Sequence, residues 1–259
     1  MKLQLVPAAR GTQWVRMGVK TFLRQPLAMS GLFFIFLALA SILSLIPIVG
    51  NLVALLVLPG ITAGFMVASR EAHEGRFPMP WVLIAAFRQG GTSLQAILTL
   101  GALYAVAIIL AMGASALVDG GQFARIYLLG GNLTAELIKD DSFLSAALLA
   151  TALYTPISLL FWHAPALVHW HGISPAKSVF FSFMACRRNL MAMLVYGLAW
   201  MGLSLALGMV VAMVGSLFGD ASILSAIMMP TMMLIAAMFF TSQYFTFADS
   251  FEIPTGETP

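Results

Sequence analysis

Charge is scarce in this sequence: 9% of its 259 residues are Asp, Glu, Lys or Arg, while 61% are hydrophobic. A soluble domain carries about 25% charged residues. A fold of this length in water cannot hide so much apolar surface, so lipid is expected as the solvent for much of it. Cysteine is scarcer still. The one thiol, Cys186, excludes an internal disulfide and leaves no metal-binding cysteine pattern. Nucleophile elbows, phosphate-cradling glycine loops and zincin motifs are absent. Nothing resembles a nucleic-acid module, so no nucleic-acid partner is expected, and no cofactor. The most telling absence is local: no Asp, Glu, Lys or Arg falls in the middle of any long apolar run. Ionisable residues inside a bilayer mark proton relays, ion paths and voltage sensors. Their absence argues against a proton-coupled pump or a transporter of polar ions.

What the chain does contain is one pattern three times. A short stretch ends in a basic residue followed by Gln or Asn, at Arg24-Gln25, Arg88-Gln89 and Arg188-Asn189, and a long apolar run begins just after. Each run turns back into a second that contains a proline, Pro59, Pro156 or Pro230. A helix needs about 20 apolar residues to cross a bilayer. Six segments qualify: Leu27–Ile46, Asn51–Ser69, Leu94–Val118, Phe143–Trp162, Met191–Ser216 and Ile223–Phe247. The fourth can extend to His169, with Pro165 as a kink or a stop. Short turns at Pro47–Gly50 and Leu217–Ser222 make those neighbours antiparallel. The expected fold is therefore all-α: a polytopic membrane protein of six transmembrane helices, in three pseudo-repeated hairpins, each preceded by a cytoplasmic interfacial helix. Residues 1–26 form a cytoplasmic amphipathic arm, 27–247 the six-helix transmembrane domain, and 248–259 a cytoplasmic, disordered tail.

The positive-inside rule sets the direction. Lys2, Arg10, Arg16, Lys20, Arg24, Arg70, Arg76, Arg88, Lys177, Arg187 and Arg188 fall on one side, leaving only Arg125 and Lys139 of the thirteen cations on the other. The second side also collects Asp119, Glu136, Asp140, Asp141 and Asp220. Both termini are thus expected in the cytoplasm. No small-residue cleavage site follows the first run at the right distance, so the first helix is expected to be retained as an anchor.

Along residues 13–24, Arg16, Lys20 and Arg24 form one helical stripe, with Val15, Val19 and Phe22 opposite. That is the pattern of a helix lying in the membrane interface. It serves either lipid sensing and partner docking or, more simply, as the anchor that orients the first span. Pro80–Gln89 and Ser174–Asn189 are too short to cross and read as interfacial or re-entrant elbows. In the latter, Ser174, Lys177, Ser178 and Ser182 form a polar edge beside Val179, Phe180 and Phe183. Arg88, Arg187 and Arg188 are the corresponding interfacial anchors. The outer loop, Asp119–Ser142, has turn signals at Gly120-Gly121 and Gly130-Gly131, an apolar patch at Ile126–Leu129, and a short helix expected around Leu133–Lys139. Its Asn132-Leu133-Thr134 matches a glycosylation sequon, a pattern common by chance.

Candidates for chemistry are few. His163, His169 and His171 could ligate a metal. However, His163 and His169 do not share a helix face and no carboxylate is near to orient them, so aromatic rings at headgroup level are the simpler reading. Arg70-Glu71-Ala72-His73-Glu74 reads either as an acid/base cluster or as a charged cap on the second span. Small residues recur every four positions at Gly60, Gly64 and Ala68, at Ala107, Ala111 and Ser115, and at Ser204, Gly208, Ala212 and Ser216. Such stripes let helices approach closely in lipid, within one chain or between two copies. Pro59, Pro156 and Pro230 each remove a backbone hydrogen bond in mid-span. They either line a shared cavity or act as static kinks.

Trp14-Val-Arg-Met-Gly, Phe22-Leu-Arg-Gln-Pro26, Ile46-Pro-Ile-Val-Gly50 and Leu58-Pro-Gly-Ile-Thr-Ala-Gly64 resemble a family of uncharacterised beta-proteobacterial integral membrane proteins over most of the chain. More distantly, the arrangement is similar to the membrane domain attached to some bacterial glycerophosphodiester phosphodiesterases. Their soluble catalytic barrel has no counterpart here, so the resemblance transfers no activity and no catalytic residue. It implies a multi-pass protein of the bacterial inner membrane. The functional expectation is a non-enzymatic protein in membrane organisation, or one that binds or passes a weakly polar or lipid-like molecule. The alternatives are a membrane-embedded enzyme acting on lipid through His163, His169 and the charged inner loop, and an interaction subunit of a larger complex. The lipid bilayer is the expected partner, with a second copy or another membrane protein as the candidate protein partner.

Overall fold

A computed structural model describes residues 3–218 and 221–252. Helix joints fall where the repeated dipeptides stand. α1 (Arg10–Arg24) ends at the first, and α2 (Pro26–Ser44) begins on a proline, whose missing N–H costs nothing in a first helical turn. α3 (Val49–His73) returns. A 3₁₀ turn, Pro80–Ile84, runs into α4 (Ala85–Arg88), which ends at the second dipeptide ahead of α5 (Gly91–Asp119). α6 (Gln122–Leu129) and α7 (Ala135–Ile138) fill the connection to α8 (Asp141–Phe161), which α9 (Ala164–His171) continues after a bend. α10 (Pro175–Arg188) ends at the third dipeptide, before α11 (Leu190–Phe218) and α12 (Ala221–Ser250). Six segments are long and apolar enough to cross a membrane, α8 and α9 counting as one. Among the described residues the only β feature is an isolated antiparallel bridge between Leu3 and Phe251. The protein is all-α and polytopic.

Boundaries shift by one to four residues from expectation, and three of the shifts bear on the fold. α3 continues past Ser69 to His73. The turn expected at Pro47–Gly50 closes earlier, because Val49 already opens α3. A Cβ on Gly50 would overlap the Leu43 carbonyl, so a glycine lets the hairpin close. α12 runs on to Ser250, and Phe251 is buried. Lys2, Asp220 and residues 253–259 of the expected tail lie outside the described residues, as does part of the Leu217–Ser222 turn.

The chain forms two compact units. The first draws on Met1–Phe34, Gly64–Leu83 and Ala185–Pro259. Here α1 packs against both α11 and α12. Its Gly11, Trp14, Val15, Gly18, Thr21 and Phe22 are buried, while Arg16, Lys20 and Arg24 stay exposed. The amphipathic face therefore covers protein. Close approach depends on Gly18, where a Cβ would overlap Ser242. In the same unit, the rings of Phe33, Phe65 and Phe240 stand 5.1–6.4 Å apart. The first and last described segments are tied in the same unit. The Asp249 carboxylate accepts from Arg10 Nε at 2.5 Å, Arg10 Nη2 at 3.0 Å and Trp14 Nε1 at 2.6 Å. That carboxylate holds the Arg10 proton more firmly than usual. Buried Asn189 accepts from Val6 N at 3.1 Å and donates to Gln4 O at 3.1 Å and Ser250 Oγ at 3.3 Å.

The second unit comprises Ile35–Ala63 and Ile84–Met184, built on α5 packed along α8 and against α4, α6 and α9. Tyr104, Ile108, Met112 and Ala150 form one core cluster. Ala63, Ala86, Ile97, Leu100, Ala164 and Val168 form another. α6, legible in sequence only as an apolar patch, is started by Asp119. Its carboxylate accepts from Gly121 N at 2.8 Å and Phe123 N at 2.6 Å across a turn in which Gly120 and Gly121 hold positive φ. Asp140 caps α8 in the same way, and bonds from the Ser142 hydroxyl and amide hold its carboxyl below the usual range.

The bend between α8 and α9 falls at Trp162–His163, with Pro165 in the first turn of α9 rather than at the break. Ser182 of α10 inserts there. Its hydroxyl accepts from His163 N at 2.9 Å and donates to Leu159 O at 2.9 Å, the two groups a continuous helix would pair. The polar edge expected on the surface of α10 is thus corrected: Ser178 and Ser182 are fully buried, and Phe180 is exposed. In lipid the hydroxyls turn to the protein and the aromatic ring turns outward.

Candidate functional site

α8 shows a second departure from the pattern of a lipid-facing helix. Thr151, Tyr154, Thr155 and Pro156 are exposed and Ser158 half-exposed. Spacings of three, four and seven residues put these hydroxyls on one helical face. At about 1.5 Å per residue they lie roughly 15–25 Å from the Asp141 end, within the hydrocarbon thickness of about 30 Å. The aliphatic hydroxyls are each bonded back to the helix. Thr151 Oγ1 donates to Ala147 O at 2.8 Å, Thr155 Oγ1 to Thr151 O at 2.9 Å, and Ser158 Oγ to Thr155 O at 2.7 Å. Pro156 has no N–H, so the Ala152 carbonyl loses its ordinary helical donor. From α5, the Tyr104 ring stands edge-on to Phe161 at 5.1 Å.

The other spans show what lipid-facing surface looks like in this protein. On α11, every exposed side chain from Met191 to Met213 is apolar, including Leu198, Leu205 and Met209. On α5, the same holds from Ala102 to Val118. The hydroxyl face of α8 therefore stands apart. Sequence reasoning singled out Pro156 but not the hydroxyls. The available signal was their helical spacing around a proline inside an apolar run.

The other expected sites are placed as follows. Pro59 is buried in the second unit, and Pro230 is exposed on α12. In the Gly60, Gly64, Ala68 stripe, a Cβ on Gly60 would overlap the Phe87 ring and one on Gly64 the Leu83 carbonyl, and Ala68 is fully buried. These glycines thus receive the Pro80–Arg88 elbow. Of the Ser204, Gly208, Ala212 stripe, Ser204 and Gly208 are half-exposed and Ala212 is exposed; the nearest neighbour of Gly208 is Met232 Cε at 4.0 Å. Arg16, Lys20, Arg24, Arg88, Arg187 and Arg188 are all at least half-exposed. His163 is buried at the Ser182 bridge as the N-cap of α9, and His169 lies within that helix, its carbonyl accepting from Gln89 Nε2 at 3.3 Å. Among the described residues no three His, Cys, Asp or Glu side chains gather to hold a metal.

Two clusters separate in sequence meet in the first unit. Thr21 Oγ1 lies 3.3 Å from His73 Nδ1, and Arg24 Nη1 donates to His73 O at 2.9 Å, capping the end of α3. Glu74 takes Arg70 at 3.1 Å and Arg76 at 2.6 Å. Arg70, Glu74 and Arg76 pair with one another and Arg24 pairs with a helix end, as in a cap.

The chain is 39% identical over 262 residues to a protein of Burkholderia thailandensis called a probable inner membrane protein, an alignment covering 100% of this chain and 97% of that one. No family model matches the chain. No solved structure matches it.

Proposed function

From the premise that this chain belongs to the same family of bacterial inner-membrane proteins as its Burkholderia relative, we propose a non-enzymatic role in which the face of α8 around Pro156 binds a weakly polar, lipid-like molecule. The protein is multi-pass and in contact with the bilayer. We further propose that both termini are cytoplasmic, from the distribution of Lys and Arg. One observation carries the binding reading: α8 gathers three exposed hydroxyls and a half-exposed one on a single face at mid-span, where α11 half-exposes Ser204 alone and α5 exposes only apolar groups from Ala102 to Val118. Polar groups at that depth ordinarily face protein or a polar occupant. The test is native mass spectrometry of the protein extracted in mild detergent. A discrete lipid-sized adduct is expected on the wild type and lost in Thr155→Leu. An adduct-free wild type, or one whose adduct survives the substitution, overturns the reading.

A second reading, an interaction subunit, is favoured by α11. Its Gly197 and Gly202 have nothing within 4 Å of a would-be Cβ, leaving room for a partner helix. Chemical crosslinking in native membranes, with a partner seen only through α11, would support it.

A further inference from the structure

We infer that the occupant of the α8 face is a lipid alcohol: an uncharged molecule with a free hydroxyl, of the acylglycerol or long-chain alcohol class, and not a phospholipid. This rests on the reading of α8 as a binding face and specifies its chemistry. A hydroxyl has one proton and two lone pairs. Thr151, Thr155 and Ser158 have each given that proton to a backbone carbonyl within their own helix. What they turn outward is lone pairs. The Ala152 carbonyl, deprived of its helical donor by Pro156, adds another acceptor to the same face. The face therefore asks its occupant for a donor. The uncharged donor that membrane lipids commonly carry is a hydroxyl. The phosphodiester group itself offers acceptors only, whatever hydroxyl or ammonium its headgroup adds. It would also bring a charge to a depth where no cation stands on these helices: between Gln95 and Val118, and between Ser142 and Phe161, there is no Lys or Arg. The flanking side chains of α8, Leu148, Ile157 and Phe161, are apolar and suit hydrocarbon chains.

The experiment follows thermal unfolding of the full chain in detergent while titrating three probes: dioleoylglycerol, its 3-O-methyl ether, and dioleoylphosphatidylcholine. The ether keeps shape and chains and removes only the donor. The alcohol is expected to stabilise at about tenfold lower concentration than the ether, the effect of one hydrogen bond. That preference is expected to vanish in Thr151→Val combined with Thr155→Val. Equal potency of alcohol and ether overturns the inference while leaving the binding face in place, as does strongest binding of phosphatidylcholine. No response to any probe overturns the face itself. Should the double valine variant fail to fold, Ser158→Ala supplies the same comparison, and an undiminished preference there counts against the assignment.

Discussion

Ser182 has one proton to give and lone pairs to offer, and the bend between α8 and α9 uses both. Ser182→Ala leaves the His163 N–H and the Leu159 carbonyl without their bridge, in a site that excludes water. The expected loss is about 1–3 kcal/mol, measured as a lowered midpoint of unfolding in detergent. Ser182→Thr, which keeps the hydroxyl, is expected to lose less; equal loss in both would assign the effect to packing alone. Four residues on, Cys186 is fully buried and its thiol is pushed up to about 12 by that burial. Maleimide at pH 8 is accordingly expected to leave it unlabelled in native membranes and to label it fully once the protein is unfolded in dodecyl sulfate. Rapid native labelling would show the α10 face to be open. Gly64 is equally constrained, because the Leu83 backbone occupies the space of a Cβ. Gly64→Val is expected to destabilise far more than Gly113→Val, where nothing stands within 4 Å.

At the scale of elements, α1 is held by its underside and by one carboxylate. Asp249→Ala removes a charge-assisted pair to Arg10 and a bond to Trp14, worth about 1.5–3 kcal/mol for a hydrogen bond to a charged group. Its expected signature is faster tryptic cleavage at Arg16 and Lys20. Arg10→Ala in the Asp249→Ala background should add little, and full additivity of the two would show the pair to be uncoupled. This placement of α1 was only half legible in sequence. The stripe of Arg16, Lys20 and Arg24 was plain, but an apolar face looks the same whether lipid or protein covers it. The spans and the three joints were legible, because each joint carries a cation and an amide and each span meets the length a bilayer demands. Two of the amides act at their joints: Gln89 donates to His169 O and Asn189 gathers Gln4, Val6 and Ser250. α6 was hidden because a cap, Asp119, and not periodicity, starts it. The α8 face was hidden because hydroxyls in an apolar run read as tolerated polar residues until their exposure is known. The serines of α10 misled for the reverse reason, since polarity was taken to mean water.

For the whole molecule, topology is the first measurement. If both termini are cytoplasmic, as proposed, a reporter fused after Glu252 is expected to be active only if it folds inside, and one fused within Gly130–Ala135 only if it folds outside. External labelling of a tag placed after Glu252 in intact cells would reverse the orientation. The clasp of Asp249 and Asn189 on the arm has a consequence in time. The membrane receives this chain from its N-terminal side, so Gln4, Val6, Arg10 and Trp14 are made first, while the groups that hold them arrive with α10 and α12. Until the sixth span has left the ribosome, α1 has no resting place and must wait, its tryptophan face open to lipid or to a chaperone. Assembly of the first unit is thereby a closing step that only a finished hairpin of α11 and α12 permits. A stalled or shortened chain ending before α12 would carry up to five inserted spans and still display an undocked arm, a state that quality-control proteases can recognise.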